Sequence, residues 1–278
     1  MKSAMRKKLG LAREAVADAD AILITAGAGM GVDSGLPDFR GNEGFWEAYP
    51  PMKGLGISFF EMANPSWFER DPTLAWGFYG HRLNLYRNTE PHEGFEILRT
   101  WGQEKPGGFF VFTSNVDGQF QRALFPEDRI LECHGSINHL QCASPCTDDI
   151  WSAQDQDVAV DDQTFRAQQP LPSCPRCGGL ARPNVLMFGD WSWISHRSHE
   201  QESRFATWLQ SIVGQKLVVV ELGAGTAVPT VRMTSEQTVQ RNSGALIRIN
   251  MREPQVPHDQ IGIAGGALET LRSLDERE

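Results

Sequence analysis

The chain has 278 residues and a formal net charge of -9 at pH 7, from 26 Lys and Arg against 35 Asp and Glu. This balance disfavours a general nucleic-acid binder, which needs an excess of basic side chains to neutralise phosphates, so no nucleic-acid partner is expected. No run of 18 apolar residues predicts a membrane span, and the basic N-terminus lacks the apolar core of a secretory signal, which favours a cytoplasmic protein without a membrane partner.

Four short apolar runs predict buried strands, in chain order at 21–25, 108–115, 216–223 and 245–250. Each run is rich in Val, Ile or Phe, and Gly or Asn ends it or follows within two residues, as in parallel sheets with ligand-binding loops. The segments 66–88 and 199–213 have helical patterns. This alternation predicts an α/β fold with a doubly wound, Rossmann-like parallel sheet.

The glycine-rich string TAGAGMGVDSG (25–35) follows the first predicted strand. Gly27, Gly29 and Gly31 allow a sharp turn, and they let backbone N–H groups approach a pyrophosphate closely. A G-x-G pattern by itself fits a purely structural turn equally well. The loop therefore suggests a nucleotide without specifying one.

Two cysteine pairs interrupt the α/β rhythm within residues 142–190. Cys142 and Cys146 form the first pair, and Cys174 and Cys177 form the second. Four thiolates at these spacings can surround one Zn²⁺ tetrahedrally without leaving a position for water, so the metal would be structural. Two unrelated thiol pairs or a redox couple are the alternatives. We expect a small zinc-binding module at 142–190, inserted into a larger domain formed by 1–141 and 191–278.

Several unusual strings occur in a fixed order: SGLPDFRG (34–41), TSNVDG (113–118), ECHGS (132–136), the cysteine pairs, RPNVLMFGD (182–190) and GAGTAVP (223–229). Over nearly the whole chain they resemble the sirtuins, the NAD-dependent protein deacylases, and indicate a divergent member of bacterial type. The resemblance implies NAD as a consumed co-substrate, bound by the larger domain. It also implies acylated lysines of protein substrates as the partners.

The same resemblance implies the catalytic residues. His134 is similar to the family's general base, and an ordinary pKa near 6.5 suits proton transfer at neutral pH. Asn115 orders the ribose and a water, and Asp117 holds the nicotinamide carboxamide. In the family's chemistry the acyl oxygen attacks the ribose and nicotinamide leaves, which forms an O-alkylimidate. His134 then helps to deprotonate a ribose hydroxyl, which attacks the imidate, and water finally releases free lysine and O-acyl-ADP-ribose. The other cofactor-binding residues implied are Ala26, Gly27, Ala28, Gly29, Asp38, Phe39, Arg40, Ser114, Gly223 and Asn250.

Two further groups are implied for the substrate. Val185, Phe188 and Gly189 match the segment whose extended backbone pairs with the substrate peptide. Tyr79 and Arg82 lie on one helical face and resemble the pair with which desuccinylating sirtuins bind an acyl carboxylate, a group that suits an arginine fork. The acyl group would then be acetyl or an acidic group such as succinyl. The alternative for this pair is an exposed helix arginine beside a packed tyrosine.

Three departures from the family pattern surround the expected NAD site. Ser114 replaces a usual Gln, Gly31 replaces a usual Ser, and the segment 221–232 is shifted, so that Thr226 matches less well than Gly223. These departures favour, as the alternative function, a protein ADP-ribosyltransferase or an NAD glycohydrolase on the same scaffold. Two further alternatives are disfavoured. A non-catalytic NAD sensor would give His134 no role, and a hydride-transferring dehydrogenase would give neither His134 nor the four paired cysteines a role.

Overall fold

The computed structural model of the protein describes residues 2–38 and 41–276. Its strands are β1 (Ala21–Ala26), β2 (Phe109–Thr113), β3 (Ile130–Glu132), β4 (Gly135–Cys142), β5 (Trp151–Ser152), β6 (Val160–Asp161), β7 (Arg166–Ala167), β8 (Ala181–Val185), β9 (Leu217–Leu222), β10 (Ala245–Ile249) and β11 (Ile261–Ile263). Its helices are α1 (Lys2–Asp18), α2 (Gly41–Ala48), α3 (Pro50–Gly54), α4 (Phe59–Met62), α5 (Trp67–Arg70), α6 (Pro72–Asn88), α7 (Glu93–Gln103), α8 (Gln119–Arg122), α9 (His196–Ser211), α10 (Thr230–Asn242) and α11 (Ala267–Asp275).

Six parallel strands form the main sheet, in the order β11-β10-β9-β1-β2-β3. The central strand β1 is buried along its whole length, and Ile24 lies opposite Val111 on one neighbour and Val220 on the other. Ile22 and Ile24 contribute to the core on one face of the sheet, whereas Leu23 contributes to the core on the opposite face. Because both faces are covered, the strand sequences are mostly apolar instead of alternating, and the buried Glu221 of β9 pairs with Arg248 of β10. The predicted doubly wound α/β fold and its four strands are confirmed.

Helices cover both faces of this sheet. Residues of α1, α7 and α11 pack in one core, and residues of α9 and α10 pack in the other. Among residues 2–38 and 41–276, no helix combines the length and the apolar character that crossing a bilayer requires.

A smaller part of the molecule contains the antiparallel sheet β5-β4-β8 and the pair β6-β7. Helix α6 packs on this part through Gly77, where an added Cβ would lie 2.2 Å from the carbonyl oxygen of Phe165. This part has a hydrophobic core separate from the two on the main sheet, here called the second core, which combines residues from 36–86 and from 137–187 with Val116. The antiparallel sheet already begins at Gly135, and the division of the chain at 142–190 stays a prediction.

Candidate functional site

The carboxyl ends of β1 and β9 meet at the centre of the main sheet. β2 and β3 lie on one side of this point, and β10 and β11 lie on the other, so the strand order reverses here. Ligands of open parallel sheets bind in the crevice at such a switch point. The two predicted glycine segments, after β1 and after β9, lie at this position.

These two glycine segments pack directly against each other. The N–H group of Gly27 donates to the carbonyl of Leu222 (3.0 Å), and that of Gly29 donates to the carbonyl of Gly223 (3.1 Å). A Cβ on Gly27 would lie 2.8 Å from Ala224 Cα, and Gly223 has a φ of +61°. The close approach of the two loops thus requires these glycines, and their contribution to pyrophosphate binding stays a prediction. Ala26 ends β1, and Ala28 begins the 3-10 turn that follows.

The loop after β2 is bonded to the same crevice. The N–H group of Ser114 donates to Ala26 O (3.1 Å), and Asn115 Nδ2 donates to Gly27 O (3.0 Å). Thr113 Oγ1 accepts from the Asn115 N–H group (3.0 Å) and donates to Ala26 O (3.1 Å). The carboxamide of Asn115 is therefore fixed beside the glycine loop.

His134 follows β3 and lies next to the β2 loop. Burial lowers the pKa of His134 below its ordinary value of 6.5, and a hydrogen bond to the backbone of Ser114 acts in the opposite direction. The imidazole is consequently neutral at pH 7 and able to accept a proton. Its backbone carbonyl accepts from the N–H group of Leu186 (2.9 Å), which joins His134 to the segment after β8.

Asp117 is the second titratable group of this region. Burial raises the pKa of Asp117 to about 6; nearby Glu132 raises it too, whereas the hydrogen bond from the Gln119 N–H group and the charge of Arg82 lower it. Carboxyl groups whose pKa is raised toward neutral pH are frequent at functional sites. The structure thus places Asn115, His134 and Asp117 around the ends of β2 and β3.

At the other end of the crevice, Asn250 follows β10 and is buried. Its Nδ2 donates to Ala224 O (2.8 Å), and its Oδ1 accepts from the N–H group of Glu253 (3.0 Å). The carboxylate of Glu253 accepts from the N–H group of Thr226 (3.2 Å), and Arg232 donates to the carbonyl of Glu253 (3.0 Å). Asn250 therefore organises the loops after β9 and β10, including Thr226, whose assignment from sequence was weak.

Asp38 is half-buried and ends the first described range of the chain. Phe39 and Arg40, which were predicted to contact the cofactor, lie outside the described residues.

Tyr79 and Arg82 lie on the buried face of α6, with only 1% and 7% of their surface exposed. The guanidinium of Arg82 lies over the rings of Phe78, Tyr79 and Tyr86, at 5.2, 5.8 and 5.4 Å from their centroids. Its Nε donates to Tyr86 Oη (2.9 Å). The alternative of an exposed helix arginine is therefore wrong. Tyr86 was not predicted as part of this cluster, although its spacing four residues after Arg82 indicates contact on a helix.

The segment 185–189 is fixed on both sides. Val185 pairs with Gly135 on β4, and the N–H group of Phe188 donates to Ala63 O (2.9 Å). The ring of Phe188 stacks on Phe60 with 4.0 Å between the centroids. Gly189 follows with a φ of +69°, a conformation that favours glycine.

A buried ion pair closes the end of this segment. Arg182 donates two hydrogen bonds to the carboxylate of Asp190, at 2.7 and 2.9 Å, and both side chains are almost completely buried. Such bidentate pairs fix the geometry of both partners. The pair thereby connects β8 to the loop that carries Phe188 and Gly189.

Replacement of Asp190 by Asn is expected to reduce the free energy of unfolding by about 3–5 kcal/mol, because it leaves the buried Arg182 guanidinium without its counter-charge. Urea unfolding followed by circular dichroism measures this loss. Asp128→Asn is the matched control, since its ion pair with Arg129 is exposed and is expected to contribute less than about 1 kcal/mol. Equal effects of the two substitutions would contradict the role given to the buried pair.

The four predicted metal ligands converge at the end of β4. The Sγ atoms of Cys142, Cys146, Cys174 and Cys177 all lie within 4.8 Å of one another. The distance is 3.8 Å between Cys142 and Cys177 and 3.7 Å between Cys146 and Cys174. Four thiolates about 2.3 Å from one Zn²⁺ in a tetrahedron would be about 3.8 Å apart, so the cluster fits this ion. The left-handed Gly178 (φ +72°) forms the turn that aims the second pair.

Comparison with known proteins places the chain in one family. The sequence model of the Sir2 family matches residues 27–219. The chain is 34% identical over 202 residues to an NAD-dependent protein deacylase of Aquifex aeolicus, covering 71% of this chain and 74% of that protein. It is 32% identical over 257 residues to NAD-dependent protein deacylase 2 of Pyrobaculum aerophilum, covering 91% and 89%.

Two further comparisons bear on the fold and on the alternative function. The chain is 30% identical over 268 residues to a probable bifunctional ADP-ribose hydrolase/ADP-ribosyltransferase of Fusarium oxysporum f. sp. cubense, and it spans 44% of that longer protein. The crystal structure of a Sir2 homolog–NAD complex shares the fold, with a TM-score of 0.71 at 24% identity, covering 95% of this chain and 91% of that one.

Proposed function

Because the chain belongs to the Sir2 family, we propose that it is an NAD-consuming protein lysine deacylase that releases nicotinamide, free lysine and O-acyl-ADP-ribose. The observation that carries this proposal is the convergence of three side chains on one crevice. Asn115 is bonded to the glycine loop, His134 is bonded to the backbone of the neighbouring Ser114, and Asp117 follows two residues after Asn115.

We assign His134 as the general base that accepts the proton of a ribose hydroxyl. Its lowered pKa supports this role, because the neutral form predominates at pH 7. Asn115 orders the ribose, and Asp117 holds the nicotinamide carboxamide. NAD supplies the ADP-ribose that accepts the acyl group. The switch-point loops with Gly27, Gly223 and Asn250 would hold this part of NAD. Phe39 and Arg40 are assigned to the cofactor site from sequence alone.

We assign the substrate peptide to the segment with Val185, Phe188 and Gly189. Two features support this assignment. The segment is joined to His134 through the N–H group of Leu186, and the Arg182–Asp190 pair fixes its end. A lysine stem that follows this segment would bring its acyl group toward His134 and α6.

We further infer that the acyl group carries a carboxylate, as succinyl does. Arg82 is a buried cation surrounded by aromatic rings, and the hydroxyl of Tyr79 is buried without a hydrogen-bond partner in the described part of the chain. Leaving a buried hydroxyl unpaired is costly. An acyl carboxylate could accept from both Arg82 and Tyr79, and an acetyl group could accept from neither in this way.

Replacement of Arg82 by Met is expected to reduce kcat/KM for a succinyl-lysine peptide by about 10- to 100-fold, the usual effect of losing one hydrogen bond to a charged group. The value for the matched acetyl-lysine peptide should change by less than about threefold. Tyr79→Phe should give a smaller loss of the same selectivity. Arg70→Met, which removes an exposed arginine beside Trp67, is the charge-matched control. A parallel loss for both peptides would instead indicate damage to the fold.

The proposed activity itself is tested by nicotinamide release from NAD in the presence of acetyl- or succinyl-lysine peptides, with a control lacking peptide. Peptide-dependent release that matches the appearance of free lysine is expected.

The second candidate, ADP-ribosyl transfer or NAD hydrolysis, is favoured by Ser114 in place of the usual Gln and by the likeness to the Fusarium protein. This candidate predicts that nicotinamide is released without an acylated peptide. The Ser114→Gln substitution should then reduce the rate of this peptide-independent release.

A further inference from the structure

A polar cavity of about 330 Å³ lies beside the candidate site, along β4. Ser136 and Asn138 line this cavity, whereas Ile137 between them is fully buried in the second core. The pairing of β4 with β8 is irregular between Ser136 and Leu140, and the consecutive residues Asn138 and His139 both line the cavity. Asp117 also lines it, but the glycine loop and Asn250 do not.

Three arginines line the cavity: Arg87 from α6, Arg122 from α8 and Arg197 from α9. Arg197 forms an ion pair with Glu132 through Nη2 (2.6 Å), and its Nη1 is buried without a hydrogen-bond partner in the described part of the chain. Arg122 is paired at the surface with Glu90. Arg197 thus keeps a buried donor that no described residue satisfies.

Arg87 is held in a different way. Its two terminal nitrogens donate to the carbonyls of Gln156 (2.7 Å) and Ala153 (2.6 Å). Within residues 2–38 and 41–276 no carboxylate lies at ion-pair distance from it; burial lowers its pKa, and the charge of Asp157 acts in the opposite direction. The backbone thus holds a half-buried cation at the cavity without a paired carboxylate, and an approaching anion would offset part of the cost of its burial.

The remaining lining is mostly made of hydrogen-bonding groups. His139 has a buried Nδ1 without a partner among the described residues, and burial together with Arg197 lowers the pKa of His139 to about 4. Its ring is therefore neutral at pH 7. The carboxyl groups among the lining residues are those of Asp117 and the exposed Glu127. Because Glu90 and Glu132 partner Arg122 and Arg197, the cavity is distinguished by its unpaired buried groups, Arg197 Nη1 and His139 Nδ1, and not by a net charge.

We propose that this cavity is a second binding site, which takes a small oxyanion such as a phosphate group or a dicarboxylate. Arg197 Nη1 and the Arg87 guanidinium supply the charge, and Asn138 and His139 supply neutral hydrogen bonds. The volume lies at the low end of ligand pockets, which suits a small molecule better than a dinucleotide. The site goes beyond the proposed deacylase chemistry, and Asp117 is the residue through which its occupancy would reach the nicotinamide end of the active site.

Isothermal titration of the zinc-loaded full chain with inorganic phosphate and, separately, with succinate tests the proposal, against sodium chloride at equal ionic strength. Each titration is repeated with saturating ADP-ribose, which occupies the expected cofactor crevice. Saturable one-to-one binding of at least one probe is expected under both conditions. The probe that binds more tightly identifies the oxyanion class.

Asn138→Asp places a negative charge in the cavity and is expected to weaken binding by about tenfold or more, since apposed like charges are strongly unfavourable. Gln154→Glu at the exposed rim is expected to weaken it by a smaller factor and remains informative if Asn138→Asp fails to fold. Gln237→Glu, an exposed position on α10, carries the same charge change outside the cavity and should leave binding unchanged.

Three outcomes would overturn the proposal. The first is the absence of saturable binding of either probe, and the second is loss of binding when ADP-ribose is present, which would place the anion in the cofactor crevice. The third is binding that responds equally to Gln154→Glu and to Gln237→Glu, which would indicate only a general charge effect. None of these readouts depends on deacylation, so the failure of this proposal is distinguishable from failure of the proposed function.

Discussion

Replacement of His134 by Ala is expected to reduce kcat/KM for peptide deacylation by about 10²- to 10⁴-fold, the range that general acid–base catalysis contributes. The lowered pKa of His134 keeps its imidazole neutral at pH 7 beside Ser114 and Asn115. Among the described residues, no other imidazole is hydrogen-bonded to the loop after β2 and could replace it as the base. Release of O-acyl-ADP-ribose, measured by mass spectrometry, reports the loss.

His258→Ala is the matched control for this experiment, because His258 is exposed and pairs with the adjacent Asp259. ADP-ribose affinity should be nearly unchanged in His134→Ala, which separates a chemical effect from a binding effect. Full activity of the variant would rule out the assignment of His134 as the base.

The same geometry predicts an acid limb in the pH profile. His134 must be neutral, and its pKa lies below 6.5, while Asp117 ionises with a pKa of about 6. Rising pH makes His134 neutral and Asp117 negatively charged, which are the states that the reaction needs. Activity should therefore fall as the pH drops through about 6. The profile of Asp117→Asn, which lacks one of the two titrations, should be lower in height and altered in this limb.

Replacement of Cys174 by Ser is expected to release zinc and to lower stability by several kcal/mol, because metal binding free energy contributes directly to folding when four thiolates close one site. Backbone hydrogen bonds from the Cys177 and Arg176 N–H groups lower the pKa of Cys174 to about 7, which favours the thiolate that the metal needs. Zinc content by atomic emission and the thermal midpoint measure the two effects.

Cys133→Ser provides the matched control. Cys133 lies outside the cluster, packs against the core below β3, and has a pKa that burial raises to about 12. Its replacement should leave the zinc content at one ion per chain. A stable Cys174→Ser protein with full zinc content would refute the four-thiolate site.

The sequence was sufficient for features that depend on local pattern. The mostly apolar runs of β1 and β9 predict central parallel strands, and Gly223 marks the turn that follows β9. The cysteine spacing predicts the cluster because two short turns and one structural ion determine its geometry. Asn115 and His134 were assigned through the family resemblance, since the short strand β3 before His134 was not among the four predicted strands.

Other features depend on contacts between residues distant in the chain, and the sequence did not indicate them. Gly27 faces Ala224 because two loops meet at the switch point, which no local pattern encodes. Arg182 and Asp190 were both visible in RPNVLMFGD, but their burial follows from packing against the second core. The burial of Arg82 likewise results from the contact of α6 with β4, β6 and β7.

The second core also determines an order of events during synthesis. Apart from Val116, its buried residues come from 36–86 and from 137–187, and the strands β2 and β3 of the main sheet are made between these two segments. Until the later segment is available, apolar residues of α6 such as Phe78 and Leu83 have no partner strands to cover them. A nascent or truncated chain that ends near Glu132 therefore exposes a surface prone to association, as incomplete domains generally do. Correct packing of α6 must therefore wait until the segment 137–187, which carries the four cysteines, has been translated.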